Sequence, residues 1–338
     1  MSETASEIAV LRAALAAAEA RASAAEGALV VAKGELTQVQ AIVSASQHIL
    51  LGDIDVAIGA GAESMSRAAY FLPTGRWGQR MGDGQIIDAM VGALTDPFGT
   101  GHMGITAENL AAKHGFTREE QDAFSLESHR RAEAAIAAGH FKSQIVPVEL
   151  KSKKGPVVFD TDEHVRKGAK IEDFQKLRPA FKKDGSVTAG NASGINDAGA
   201  AVVLMEAGAA AKAGAKPLAR LVAYAHAGVE PHIMGEGPIP AVQKVFQKAG
   251  LKPSDMDVIE SNEAFAVQAM TVTKGLGLDP AKVNPNGGAV ALGHPIGATG
   301  AILTVKCLYE LQRTGGKYGL VTMCIGGGQG IAAIFERL

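Results

Sequence analysis

Three short stretches near the C-terminal end contain residues whose types could carry chemistry. In the first, GHPIGATG at 293–300, His294 stands between a glycine and a proline. Glycine lets a ligand approach the backbone closely, and proline fixes the turn. A histidine held in this way is suited to act as a base or as a hydrogen-bond donor, and a structural loop histidine fits the same pattern.

A cysteine and an asparagine stand at the ends of predicted strands. Cys324 begins the stretch CIGGGQG, in which backbone N–H groups of a glycine turn can face a substrate oxygen. A lone buried cysteine is often only a small hydrophobic residue, which is how we interpret Cys307 inside a predicted helix. Asn262, in NEAF, can hold a water or orient a neighbour, and a helix N-cap explains it equally well.

The elements around these stretches alternate between strands and helices. The hydrophobic pattern predicts strands at 258–260 and 319–324, with helices at 264–274 and 301–312. Such alternation indicates a layered α/β architecture.

The preceding part of the chain is mixed. Its pattern predicts helices at 40–51 and 106–114, a short strand at 56–59, and a pair of helices within 117–139 that opens with the capping-box residues Thr117 and Glu120. Between 151 and 183 lie ten Lys or Arg residues against five acidic ones. Such a run is either a solvated loop face or a collar for a phosphorylated ligand.

Residues 1–39 have a different texture, rich in Ala and Glu. Apolar or Ala residues repeat with the 3-4 spacing of heptads from Ile8 to Val39. This spacing predicts a coiled-coil-like helix, and a single frayed helix is the alternative because several seam positions are only Ala.

Composition excludes several classes of protein. A formal net charge of −2 over 338 residues does not favour a nucleic-acid partner or an anionic membrane surface. The chain shows no membrane-spanning or signal-peptide pattern, no metal-ligand cluster and no nicotinamide-binding fingerprint. With two cysteines, no disulfide framework is expected, and we expect a reducing, cytoplasmic setting.

Together, the order and wording of GHPIGATG, NEAF and CIGGGQG resemble the thiolase family, in particular bacterial β-ketothiolases. The resemblance runs from about residue 40 to residue 338. It implies a thiolase-like layered α/β fold, with one domain at 40–217 that includes a loop domain at about 67–194, and a second at 218–338. It also implies reversible acetyl transfer that makes or cleaves 3-ketoacyl-CoA, with CoA and acyl-CoA as substrates, no further cofactor, and a homo-oligomer.

The resemblance implies roles for four residues in the reaction. His294 would be the base that activates the nucleophile and would help to form an oxyanion hole. Asn262 would hold the water that completes this hole. Cys324 would move a proton on and off the α-carbon of acetyl-CoA, and the Gly326 N–H would contribute to a second oxyanion hole.

The resemblance also implies residues that bind the substrate. Ser193 would contact the pantetheine arm of CoA, and Arg166 its nucleotide end. The basic stretch 151–183 would then face a phosphate-bearing ligand. The acyl pocket would be formed by His102, Met103, Phe181, Met234, Ala264 and Phe265.

The chain departs from the family pattern at one place. Thiolases carry a nucleophilic cysteine in a Cys-Gly-Ser-Gly turn just before the helix that begins here near Gln40, and without a gap this position falls on Glu35. We therefore expect a truncated N-terminal half behind a replaced segment 1–39, exposed strand edges at 56–59 and 200–205, and an impaired enzyme. The alternatives are a non-catalytic CoA-binding remnant and a coiled-coil interaction protein.

Overall fold

The structure is a computed structural model that describes residues 39–338, so the predicted heptad helix lies outside it except for Val39. The helices are α1 (39–50), α2 (Ala89–Ala93), α3 (Met103–His114), α4 (Arg118–Ala138), α5 (Ile171–Gln175), α6 (Ala207–Lys212), α7 (Pro238–Ala249), α8 (Ala266–Leu276), α9 (Ala289–Leu292) and α10 (Thr299–Thr314). The strands are β1 (Val56–Ser64), β2 (Tyr70–Phe71), β3 (Ile87–Asp88), β4 (Thr95–Asp96), β5 (Gly101–His102), β6 (Val148–Leu150), β7 (Val157–Phe159), β8 (Asp197–Met205), β9 (Ala219–Gly228), β10 (Val258–Ser261), β11 (Tyr318–Ile325) and β12 (Gln329–Arg337).

A four-stranded sheet in the order β10-β11-β12-β9 forms the centre of the C-terminal part. β10 and β11 are parallel, whereas β12 is antiparallel to both β11 and β9. One face packs against Val242 and Val245 of α7, and the other against Leu303 and Leu311 of α10. Because helices cover both faces, β10 and most of β11 and β12 are buried along their length, which explains their continuous apolar runs. The predicted α/β layers and their strands are confirmed here.

The pair of helices predicted within 117–139 is wrong. A single helix, α4, runs from Arg118 to Ala138 and ends where Gly139 takes a left-handed conformation. Its predicted start is confirmed, because the Thr117 side chain accepts the Glu120 N–H while the Glu120 carboxylate accepts the Thr117 N–H. The sequence offers no proline or glycine inside this span that would divide it.

The strand predicted at 56–59 is longer and pairs antiparallel with β8, from Val56↔Met205 to Ser64↔Asp197. One face of this two-stranded sheet packs against α10 and α1, and a Cβ at Gly59 would collide with the Ile42 side chain. On the opposite face, the cross-strand neighbours Ile58 and Val203 are 67% and 66% exposed. Within residues 39–338, no third strand joins this sheet.

Three small two-stranded sheets, β2-β3, β4-β5 and β6-β7, lie in the connecting segments between α1 and β8. None of the helices that the structure describes combines the length and apolar character needed to cross a bilayer.

Candidate active site

His294 lies in the wall of one pocket and is in contact with Asn262. Asn262 follows β10 directly and is fully buried, and its Nδ2 lies 3.3 Å from Nε2 of His294. Burial lowers the pKa of His294 from 6.5 to about 4, so its ring is neutral near pH 7. Asn262 Oδ1 is buried and has no hydrogen-bond partner among the described residues. A neutral imidazole can accept a proton at one ring nitrogen and donate one from the other.

The far side of the His294 ring is held by Thr299, in the first turn of α10. His294 Nδ1 lies 2.7 Å from Thr299 Oγ1, which is itself 2.9 Å from the Pro295 carbonyl oxygen. Thr299 is buried. Sequence reasoning did not single out Thr299, although it lies in the same GHPIGATG stretch as His294.

Two residues from the N-terminal part clamp the loop that carries His294. The His294 N–H donates to Asn196 Oδ1 at 3.2 Å, and the Gly297 N–H donates to the Glu63 carboxylate at 3.1 Å. A Cβ at Gly293 would lie 2.4 Å from the Asn196 side chain, so glycine is required for this approach. The analysis of single motifs missed both Asn196 and Glu63, because they lie 98 and 234 residues from their partners.

Cys324, at the end of β11, contributes to the same pocket as His294 and is buried against Met103, Met234 and Ala264. The pocket encloses about 240 Å³. Its lining is mostly apolar, which suits a thioester or acyl group more than an ion. It is formed by Met65, Met90, Val91, Leu94, His102, Met103, Phe181, Ala192, Ser193, Gly194, Ile195, Met234, Ala264, Phe265, His294, Ile296 and Cys324.

The six residues predicted for an acyl pocket therefore lie together with His294 and Cys324. His102 stacks on Phe181 with ring centroids 4.8 Å apart, and its Nδ1 accepts the Gly104 N–H at the start of α3. A Cβ at Gly104 would lie 2.2 Å from the Phe181 ring, so this packing requires the glycine that follows Met103. Burial lowers the pKa of His102, which keeps this wall uncharged.

Ser193 is also brought to the pocket. Its N–H donates to the Ala264 carbonyl at 3.0 Å, and Ala192 forms an isolated bridge with Phe265. These contacts fix the segment after Asn191 against the NEAF stretch, with Ser193 on the pocket wall.

Three predicted site residues are not among the residues that line the pocket: Asn262, Arg166 and Gly326. Arg166 is exposed and is not among the lining residues, and its backbone N–H donates to His129 Nδ1 at 3.1 Å. Gly326 lies in the turn between β11 and β12, two residues beyond Cys324, where its carbonyl accepts the Gln329 amide. Most of the basic residues between 151 and 183 are exposed on the surface.

A buried carboxylate supports the NEAF stretch from behind. Glu263 accepts hydrogen bonds from the Ser128 hydroxyl at 2.7 Å, the Asn284 amide at 2.8 Å and the Val290 N–H at 3.2 Å. It therefore ties the end of β10 to α4 and to the segment that leads to His294. Burial raises the pKa of Glu263, and these three donors oppose that effect. In the sequence, Glu263 could have been identified as a candidate by its position next to Asn262.

The described part of the chain contains no group of three or more His, Cys, Asp or Glu side chains that could hold a metal ion.

Comparison with known proteins identifies relatives along most of the chain. Residues 2–208 match the family described as thiolase, N-terminal domain, and residues 215–337 match thiolase, C-terminal domain. The chain is 66% identical over 301 residues to the β-ketothiolase BktB of Cupriavidus necator, covering 89% of this chain and 76% of the relative. It is 56% identical over 302 residues to an acetyl-CoA acetyltransferase of Allochromatium vinosum, covering 89% and 77%.

Solved structures give the same result for the fold. The human mitochondrial 3-ketoacyl-CoA thiolase superposes with a TM-score of 0.88 at 46% identity, over 90% of this chain and 77% of that one. The same human enzyme in complex with CoA gives a TM-score of 0.87 at 44% identity, over 90% and 76%. The N-terminal match begins at residue 2, and therefore does not support the expectation that 1–39 is foreign to the family and that the N-terminal half is truncated.

Proposed function

The chain belongs to the thiolase family, and from this membership we propose that its pocket transfers an acetyl group between CoA thioesters, making or cleaving 3-ketoacyl-CoA. The observation that carries the proposal is that His294 and Cys324 line one mostly apolar pocket, with Asn262 in contact with His294. CoA and its thioesters are the substrates.

In this proposal, His294 acts as a neutral base. Its pKa of about 4 means that the ring is uncharged near pH 7, so one ring nitrogen carries a lone pair that can accept a proton from a thiol. Asn262 Oδ1 can accept a hydrogen bond from a water, whose second hydrogen would then be donated to the oxyanion of the thioester.

Cys324 is proposed to move the proton at the α-carbon of acetyl-CoA. Its position on the pocket wall, packed against the acyl-pocket residues Met103 and Met234, supports this role. Removing the proton places negative charge on the thioester oxygen, and the Gly326 N–H in the following turn is proposed to stabilise that charge.

Ser193 and Arg166 are proposed to bind CoA outside the acyl pocket. Ser193 on the pocket wall is placed to contact the pantetheine arm. Arg166 is exposed within the basic stretch 151–183, where it would meet the phosphates of the nucleotide end. Assembly into a homo-oligomer belongs to the same proposal.

A finer proposal concerns the nucleophile. The chain has two cysteines: Cys307, which is fully buried inside α10, and Cys324 in the pocket. Burial raises the pKa of the Cys307 thiol well above its usual value, so it is no nucleophile. The position of the family's nucleophilic cysteine falls on Glu35, and a carboxylate attacks a thioester poorly. We propose that this chain transfers acetyl groups slowly for that reason.

The cysteine count also favours a second candidate function, binding of CoA thioesters without turnover. Calorimetric titration with CoA should then give a dissociation constant of about 0.1–1 mM while acetyl transfer stays at background.

The test is acetyl-CoA formation from acetoacetyl-CoA and CoA, followed by chromatography. Replacement of residues 35–38, ELTQ, by CGSG should raise the rate at least about a hundredfold over the parent chain, because a thiolate is restored. The matched replacement by AGSG should not. If the folded CGSG variant binds CoA and still forms no acetyl-CoA, the transferase proposal fails and the binding function remains.

A further inference from the structure

We propose that Thr299 is a positioning residue that fixes the tautomer of His294, with the proton on Nδ1 and the lone pair of Nε2 directed at Asn262. The importance of this residue for catalysis rests on the proposed function, whereas the test of the tautomer requires no enzymatic turnover. A neutral imidazole has two tautomers, and only the one with its lone pair on Nε2 can act as a base at that nitrogen.

The hydrogen-bond directions follow from counting hydrogens. The Thr299 hydroxyl has one hydrogen and two near neighbours, the Pro295 carbonyl at 2.9 Å and His294 Nδ1 at 2.7 Å. The carbonyl can only accept, so the hydroxyl donates to it and accepts from Nδ1–H. The same bond to the carbonyl four residues earlier is common for threonine in a helix.

The other side of the ring has the matching polarity. Asn262 Nδ2 is a donor 3.3 Å from His294 Nε2, which must therefore accept. The resulting chain runs from the Asn262 amide to Nε2, from Nδ1–H to Thr299 Oγ1, and from the Thr299 hydroxyl to Pro295. Each bond in this chain pairs one donor with one acceptor.

The reverse tautomer would disturb two of these contacts. The Thr299 hydroxyl would have to leave the Pro295 carbonyl and donate to Nδ1. His294 Nε2–H would then face the Asn262 NH₂ group, donor against donor, until the amide turned over. The Pro295 carbonyl would keep its bonds from the N–H groups of Ala298 and Thr299, so the hydroxyl contact is the one that separates the two tautomers.

The backbone around the ring leaves little freedom for it to turn. Asn196 and Glu63 hold the N–H groups of His294 and Gly297, and Thr299 itself is buried. The loop thus fixes the backbone of His294, the contacts of its two ring nitrogens with Thr299 and Asn262 orient the imidazole, and Thr299 sets the position of its proton.

Nitrogen-15 NMR of histidine-labelled protein tests the proposal, since a protonated ring nitrogen and one with a free lone pair resonate far apart. The His294 signals are assigned by their loss in His294→Gln. In the substrate-free parent chain near pH 7, Nδ1 should be protonated and Nε2 should carry the lone pair. A protonated Nε2 as the main form in the parent would overturn the proposal without any variant.

The variants separate this role from simple helix capping. Thr299→Val should shift the tautomer ratio about tenfold towards protonated Nε2, since one hydrogen bond is lost, and Thr299→Ser should restore it. The matched control is Thr304→Val, which removes an equivalent buried hydroxyl bond, from Thr304 to the Gly300 carbonyl at 2.8 Å, and should leave the His294 signals unchanged. An unchanged ratio in folded Thr299→Val would contradict the proposal. If the parent chain shows the expected tautomer but transfers no acetyl group, only the proposed function is contradicted.

Discussion

The two main sheets of the described chain differ in how their faces are covered. The four-stranded sheet of β9 to β12 has α7 on one face and α10 on the other, and the side chain of Ile334 on β12 is fully buried. The two-stranded sheet of β1 and β8 has α10 and α1 on one face only, and Ile58 on its other face is 67% exposed. Asn262 and Cys324 lie at the ends of strands of the covered sheet, whereas the half-covered sheet supplies contacts that hold the loop of His294.

The two sheets therefore position different residues of the site. Asn262 follows β10 and Cys324 ends β11, so a rigid core fixes their mutual position. Glu63 lies near the end of β1 and Asn196 directly precedes β8, and both contact the His294 loop. A disturbance of β1 or β8 should therefore displace the His294 loop more than Asn262 or Cys324.

The largest effect is expected for two isoleucine substitutions that compare the sheets. Ile334→Ala should lower the free energy of unfolding by about 2–5 kcal/mol, because it opens a cavity in a packed core. Ile58→Ala should cost less than about 1 kcal/mol, because its side chain is mostly in solvent. Urea unfolding of both variants and the parent gives the two values. Equal losses would show that the outer face of β1 is covered in the full chain, and the comparison would fail.

The next effect is a pH dependence of the free energy of unfolding, which arises from the burial of His294. The pKa of His294 is lowered from 6.5 to about 4, so the folded state binds fewer protons than the unfolded chain between these values. The contribution of this pKa shift to the free energy of unfolding is complete above pH 6.5 and is lost as the pH falls towards 4. In total it amounts to about 1–3 kcal/mol, with allowance for water in the pocket.

Urea unfolding between pH 7 and pH 4 measures this slope. His294→Gln should make it shallower, and it should not abolish it, because burial lowers the pKa of His129 to about 4 as well. The control substitution is His48→Gln, at a histidine side chain that is 62% exposed. A parent slope that His294→Gln does not change would show that the ring is well solvated in the folded protein.

A smaller effect should distinguish two glycines within the half-covered sheet. A Cβ at Gly61 would lie 2.1 Å from the Gly297 carbonyl, whereas the contacts of a Cβ at Gly199 are ordinary ones at 3.9 Å. Gly61→Ala should therefore destabilise the protein by about 1–3 kcal/mol and shift the His294 NMR signals. Gly199→Ala should stay within about 0.5 kcal/mol of the parent with unchanged His294 signals. If Gly61→Ala left the His294 signals in place, β1 would not hold the loop.

The sequence allowed the covered sheet to be predicted better than the contacts between the two parts. Buried strands such as β11 have continuous apolar runs, and GHPIGATG and NEAF place His294 and Asn262 at loops by local turn chemistry alone. The role of Thr299 depends on hydrogen-bond geometry that spacing does not contain. Asn196 and Glu63 reach the His294 loop only through the tertiary fold, so no local pattern marks them.

Exchange of the acetyl methyl protons of acetyl-CoA with D₂O tests the central claim most directly, because it requires the site on the covered sheet and does not require a covalent nucleophile. The folded parent chain should incorporate deuterium, as followed by mass spectrometry. Cys324→Ala should slow this incorporation at least about a hundredfold, as expected on removal of a positioned proton-transfer group, while Cys307→Ala should retain most of it. Equal incorporation by the parent and Cys324→Ala, at the rate of acetyl-CoA alone, would contradict the account.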